Sequence, residues 1–140
     1  MTYKVFVSFD YENDRSHKYL LEAWNGNSEF EFTFQDMSPD EIQSTDVGRV
    51  KAALTAKINK ASHTFVIVGQ YANSPHEDQV LIGSKNWINF EIKQSKANGN
   101  KLVAIKLDRT YVSPDELLNA NASWAMSFTE EAILKALRNA

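Results

Sequence analysis

Strand-like and helix-like hydrophobic patterns alternate from one end of the chain to the other. Tyr3 to Phe9 (YKVFVSF) is β-branched and aromatic and predicts a strand; Arg15 to Trp24 follows with Tyr19, Leu20, Ala23 and Trp24 at helical spacing. Glu29 to Phe34 (EFEFTF) alternates with a period of two, as a strand at or near a sheet edge does. Ser38-Pro39-Asp40-Glu41 reads as a capping box with proline at the first helical position, so a helical turn is expected there. Val47 to Ile58 then carries Val50, Ala53, Leu54 and Ile58 on one face. His63 to Gly69 (HTFVIVG) is a near-continuous apolar run, the mark of a strand buried on both sides. A loop from Gln70 to about Lys85, without clear structure, precedes a helix through Trp87 and Glu91 that stops at Asn98-Gly99-Asn100. Lys101 to Leu107 (KLVAIKL) is a fourth strand, Ser113-Pro114-Asp115-Glu116 a second capping box, and Ser123 to Phe128 a fifth strand. Thr129 caps a closing helix with Glu130 and Glu131 against its dipole.

Strict alternation of this kind predicts an α/β protein with a five-stranded, mainly parallel, flavodoxin-like sheet and helices on both faces. The 140 residues form one domain, 1–140, without repeats or a linker, large enough to bury roughly 70% of its unfolded surface. In such folds ligands bind outside the carboxyl ends of the strands. Three segments converge there: Phe9-Asp10-Tyr11, Gln35 to Asp46, and Gln70 to Glu91. The last contains a loop of about 15 residues, and loops of that length are usually functional or mobile.

Composition removes several function classes. A net charge of −3 gives no electrostatic reason to approach nucleic acid or anionic lipid. Without cysteine there is no disulfide, thiolate nucleophile or thiolate metal site. No apolar run approaches the ~20 residues of a membrane span, and Met1 to Lys4 lead straight into a strand pattern, so a cytoplasmic protein without a signal peptide is expected. The scattered glycines match neither a dinucleotide-binding nor a P-loop motif, and no serine sits in a nucleophile elbow. A phospho-receiver pocket at Asp10 to Asp14 would need an aspartate after the third strand, where the sequence is Val68-Gly69-Gln70-Tyr71. Capping and charging the first helix is the plainer role for Asp14. His17 and His63 read as structural, and His76 lacks a second histidine nearby for metal. No metal site is expected.

One acid stands out. At 100° per residue, Lys93, Lys96 and Asn89 share a face, expected to be the wet one, while Glu91 falls opposite beside Trp87, Ile88 and Ser95. A solvated helical glutamate commonly pairs with a base four residues away; Glu91 has Trp87 at i−4 and Ser95 at i+4. A carboxylate beside an indole, turned from solvent, suits chemistry on a planar ring attached to a ribose. Phe9 and Trp87 both fall at the rim and would be the flat walls.

The chain resembles the TIR domain family, and within it the small prokaryotic TIR-like proteins of the Thoeris antiphage system. Val5-Phe6-Val7-Ser8-Phe9 is similar to the family's first box. Phe34-Gln35-Asp36 and the loop to Asp46 are similar to its second box and BB loop, although Asp10 stands where a basic residue is common and Met37-Ser38-Pro39-Asp40 replaces the usual proline-glycine. Trp87-Ile88-Asn89-Phe90-Glu91-Ile92, followed by Gly99-Asn100-Lys101 and a hydrophobic strand, is similar to the segment with the catalytic glutamate of NAD-cleaving TIR domains. The resemblance implies Glu91 as the catalytic acid and Ser8, Phe9, Asp10, Asp36 and Trp87 as substrate-binding residues. It implies NAD+ as substrate rather than cofactor, and nicotinamide and ADP-ribose or a cyclic ADP-ribose-type signal as products. It also implies self-association through TIR–TIR contacts and a downstream effector sensing the product. The alternative it leaves open is a non-catalytic TIR-like interaction module or a nucleotide sensor.

Overall fold

A computed structural model describes residues 3–25, 32–34 and 46–140, with no side-chain detail for 25 or 32–34. The elements are β1 (Tyr3–Ser8), α1 (Tyr11–Asn25), β2 (Phe32–Phe34), α2 (Val47–Asn59), β3 (His63–Val68), α3 (Gln79–Ile82), α4 (Trp87–Ala97), β4 (Lys101–Lys106), β5 (Ser123–Ala125) and α5 (Glu130–Asn139). They build an α/β fold whose sheet runs β2-β1-β3-β4-β5, every neighbouring pair parallel. β2 lies at an edge, where the period-two pattern puts it.

Alternation along the central strands sorts the core into two sides. Val5, Val7, Phe65, Ile67, Val103 and Ile105 pack with Leu21 of α1 and Ile133 and Leu137 of α5. Val66, Val68, Leu102 and Ala104 pack with Ile88 and Ile92 of α4, and Phe6 meets Val50, Leu54 and Ile58 of α2. All six residues of β3 are buried, as its unbroken apolar run requires.

Several expected boundaries move, each for a local reason. α1 begins at Tyr11 rather than Arg15, because the Asp10 carboxylate accepts from the Glu12 N–H at 3.1 Å and from Asn13 Nδ2 at 2.7 Å. β5 ends at Ala125 rather than Phe128, since the chain must turn for Thr129 to cap α5 by accepting from the Ala132 N–H. The loop after β3 holds a short helix, α3, closed by Gly83 at a left-handed φ of 77°. Asp115–Leu117 forms a 3₁₀ turn, but Ser113 does not cap it; two asparagines from elsewhere in the chain do. The turn expected at Ser38 to Glu41 lies outside the described residues.

Gly69, just past β3, is where the Asp14 carboxylate is pressed against the sheet: a Cβ here would run into that carboxyl group. Gly69→Ala should therefore cost about 1–3 kcal/mol. Denaturant melts should show most of that cost vanishing in an Asp14→Ala background. An equal cost in both backgrounds would refute the contact.

Candidate active site

The strand order reverses between β1 and β3, so their carboxyl ends part and leave a crevice. A cleft of about 330 Å³ occupies it. Its walls are Phe9 to Asn13 from the β1–α1 junction, Tyr71 and Ser74 to His76 from the loop after β3, and Asn86 to Ile88 from the start of α4. That volume is at the small end of the range for ligand pockets and suits one ring and its sugar. Phe9, Tyr11, Tyr71 and Trp87 bring aromatic rings to the cleft, Asp10 and Glu12 bring carboxylates, and none of the described lining residues is lysine or arginine. The Trp87 ring is held edge-on to Phe90, with centroids 5.7 Å apart, and stands 6.5 Å from the His76 ring.

Glu91 is buried, at 1% exposure. Its Oε1 accepts a hydrogen bond from Ser8 Oγ at 2.6 Å, and its Oε2 has no partner among the described residues. Burial pushes its carboxyl up to about 8, against the opposing pull of the Ser8 hydrogen bond. At neutral pH the side chain is thus an uncharged acid, with Oε2 free to carry the proton. Ser95, one turn further along α4, has its Oγ 2.7 Å from Thr64 Oγ1 of β3 and donates to the Glu91 carbonyl at 2.8 Å.

Depth is the main departure from the sequence expectation. Glu91 was expected inside the cleft beside the indole, yet it does not line the cleft. α4 starts at the rim and descends, so four residues at 1.5 Å rise put Glu91 about 6 Å below Trp87. Ser8 is fully buried and meets the carboxyl group, while Phe9, the next residue, faces the cleft. Phe9, Asp10 and Trp87 are therefore gathered at the cleft, and Ser8 and Glu91 form a pair behind it. Asp36 lies outside the described residues. Asn89, expected on the wet face, is 1% exposed. Its amide is consumed by Asn73, Asn86 and Glu116, a network that periodicity does not reveal.

Asp14 is a second buried acid, at 5% exposure. Its Oδ2 lacks a partner among the described residues, and burial, then the Asp10 charge, push its carboxyl up to about 6. The signal was present in sequence: two carboxylates four residues apart, one capping the helix and one in its first turn, repel and call for an explanation. Tyr11 of α1, Tyr71 of the loop after β3 and Asn86 at the start of α4 line the cleft together although they are far apart in the chain, so periodicity did not single them out. His17 packs edge-on to Phe128 and His63 edge-on to Tyr3, each ring shifted down by burial. Among the described residues no three His, Asp or Glu side chains converge as a metal site, and no helix is long and apolar enough to cross a membrane.

Residues 6–111 match the family model described as Thoeris protein ThsB, TIR-like domain. The chain belongs to this ThsB TIR-like family. The match spans β1 through β4, and with them the cleft and Glu91, whereas the 3₁₀ turn, β5 and α5 follow it. No curated protein matches the chain. Among solved structures, the 2-deoxyribosyltransferase of Bacillus psychrosaccharolyticus is similar at 15% identity and TM-score 0.59, covering 92% of this chain and 90% of that one. The 2-desoxiribosyltransferase of Leishmania mexicana shares 11% identity at TM-score 0.57, covering 98% and 97%. A prokaryotic SEFIR domain shares 16% identity at TM-score 0.54, covering 98% and 88%. At these identities the likeness is one of fold, and it places this TIR-like domain in an architecture common to several families.

The raised carboxyl of Glu91 ties stability to pH. Between the ordinary value of 4.5 and about 8 the folded state holds a proton that the unfolded chain has released, so this group's contribution falls as pH rises through that window. Thermal melts of wild type minus Glu91→Gln should show this decline from pH 5 to 8 and level off above. A pH-independent difference would contradict the buried neutral acid.

Proposed function

We propose that this TIR-like domain cleaves the bond between nicotinamide and ribose in NAD+, with Glu91 as the catalytic acid. The observation that carries the reading is a buried carboxyl, held by Ser8 behind the switch-point cleft, its second oxygen without a partner among the described residues. An isolated surface domain has no use for such a group, and desolvated acids beside clefts mark function more often than chance.

The bonding electrons leave with the pyridinium nitrogen, so nicotinamide departs neutral and positive charge builds on the ribose. A preorganised carboxylate stabilises that charge more in the transition state than in the ground state. In the empty protein Glu91 is neutral; a pyridinium cation nearby lowers its pKa and ionises it where the charge is needed. Phe9, Tyr11, Tyr71 and Trp87 supply faces for the ring, and the absence of lysine and arginine from the lining suits a cationic ring better than the pyrophosphate. Asp10 stays committed to the α1 cap and shapes the lip. Reaching Glu91 requires a small displacement of the Phe9 or Trp87 wall, which self-association through TIR–TIR contacts would provide. Water capture of the ribosyl cation gives ADP-ribose, and capture within the same nucleotide gives a cyclic signal for an effector. The two similarly folded transferases are named for a deoxyribosyl group, so a deoxynucleoside with an acceptor base is the control substrate.

Nicotinamide release from NAD+ at high protein concentration tests the reading. Glu91→Gln should stay folded and lose on the order of 100-fold or more in kcat. Wild-type kcat/KM should rise about tenfold per pH unit below 8 and then flatten, since it reports the free enzyme. Undiminished release by the variant would reject the mechanism. Saturable binding without release would make the protein a sensor.

A further inference from the structure

The 3₁₀ turn at Asp115–Leu117 has its first N–H groups capped from a distance. Asn73 Oδ1 accepts from the Asp115 N–H at 3.0 Å, and Asn89 Oδ1 accepts from the Glu116 N–H at 2.9 Å. Asn73 Nδ2 returns a bond to Asp115 Oδ1 at 3.0 Å, so residue and turn are joined reciprocally. The same Asn73 Oδ1 also accepts from Asn89 Nδ2 at 3.1 Å. Asn89 Nδ2 reaches Asn86 Oδ1 as well, at 3.0 Å, and that oxygen caps α4 by accepting from the Asn89 N–H at 2.8 Å. Asn86 in turn donates its amide to the carbonyls of Ala72 and Ser74, each at 2.9 Å. Lys96 fastens the far side of the turn through the Glu116 carbonyl and Oε1, both at 2.8 Å.

Ser74, Asn86 and Trp87 belong to the cleft wall. The loop that carries Ser74 has few apolar anchors of its own beyond Ala72 and Ile82, so the amide network decides where it sits. Asn86 and Asn89 are 7% and 1% exposed, which makes each of these bonds costly to leave unmade. The turn falls after residue 111, beyond the segment that matches the family.

We propose that Asn73 and the Asp115–Leu117 turn form a brace that positions the outer wall of the cleft, so that a segment outside the family match completes the site. Asn73 is a positioning residue: it touches the wall and the turn, and acts on substrate only through them. The catalytic consequence rests on the NAD+-cleaving reading; the mechanical one does not.

Hydrogen exchange and steady-state kinetics on the full chain separate the two. Asn73 is half-buried on a loop and Asp115 is exposed, so neither substitution opens the core. Asn73→Ala and Asp115→Ala should speed amide exchange at residues 71–78 and in the first turn of α4 about fivefold, roughly one net hydrogen bond. Exchange in β4 should not change. Asp115→Asn keeps the acceptor for Asn73 and removes only the charge that faces Lys85 Nζ at 3.5 Å, an exposed pair worth little, so it should behave as wild type. With NAD+, the alanine variants should raise KM about fivefold with kcat within twofold, whereas a loss of folded protein would lower kcat and leave KM unchanged. Unchanged exchange at 71–78, acceleration spread equally over β4, or a fall in kcat alone would overturn the brace. If wild type releases no nicotinamide, the exchange comparison alone decides it.

Discussion

The hydrogen bond from Ser8 to Glu91 joins residues 83 positions apart and fixes the last residue of β1 to the middle of α4. Every other feature of the site is arranged around that pair. A carboxyl group taken out of water resists ionising, and one neutral-to-acid hydrogen bond offsets only part of the cost. The fold therefore keeps a proton on Glu91 at neutral pH. A helix without a buried acid would be more stable here, and the packing of Ile88 and Ile92 on either side shows how readily that position could have been apolar.

The switch point supplies the opening next to that pair. β1 and β3 diverge because the chain passes outward to β2 from one and onward to β4 from the other. Phe9 and Trp87 both line the cleft, with the Asp10 and Glu12 carboxylates beside them. Asp14, pressed on Gly69, is a second protonatable group beneath the same α1 turn that Asp10 caps. Two carboxyl groups with raised values at one end of the sheet make local stability a function of pH.

What the chain disclosed before its structure was known follows from which interactions are periodic. β1, β3 and β4 were legible because strands buried on both faces need unbroken apolar runs. α4 was legible from its Asn98-Gly99-Asn100 stop, and Glu91 from its missing i±4 partner; the Asn86 cap was not. The depth of Glu91 was not legible, since a helical wheel gives direction around an axis and not distance along it. Asn89 defeated the wheel outright: a polar residue among lysines reads as solvated, and only partners from Asn73 and Glu116 make it a core residue. The capping box at Ser113 misled for a related reason, because distant asparagines took the donors that a local serine was expected to satisfy.

The most direct measurement is a carbon-detected NMR titration of the Glu91 side-chain carboxyl in the unliganded protein. The midpoint should lie near 8, far above the ordinary 4.5. A midpoint close to 4.5 would mean a solvated carboxylate, and the account of a buried acid held by Ser8 behind the cleft would be wrong.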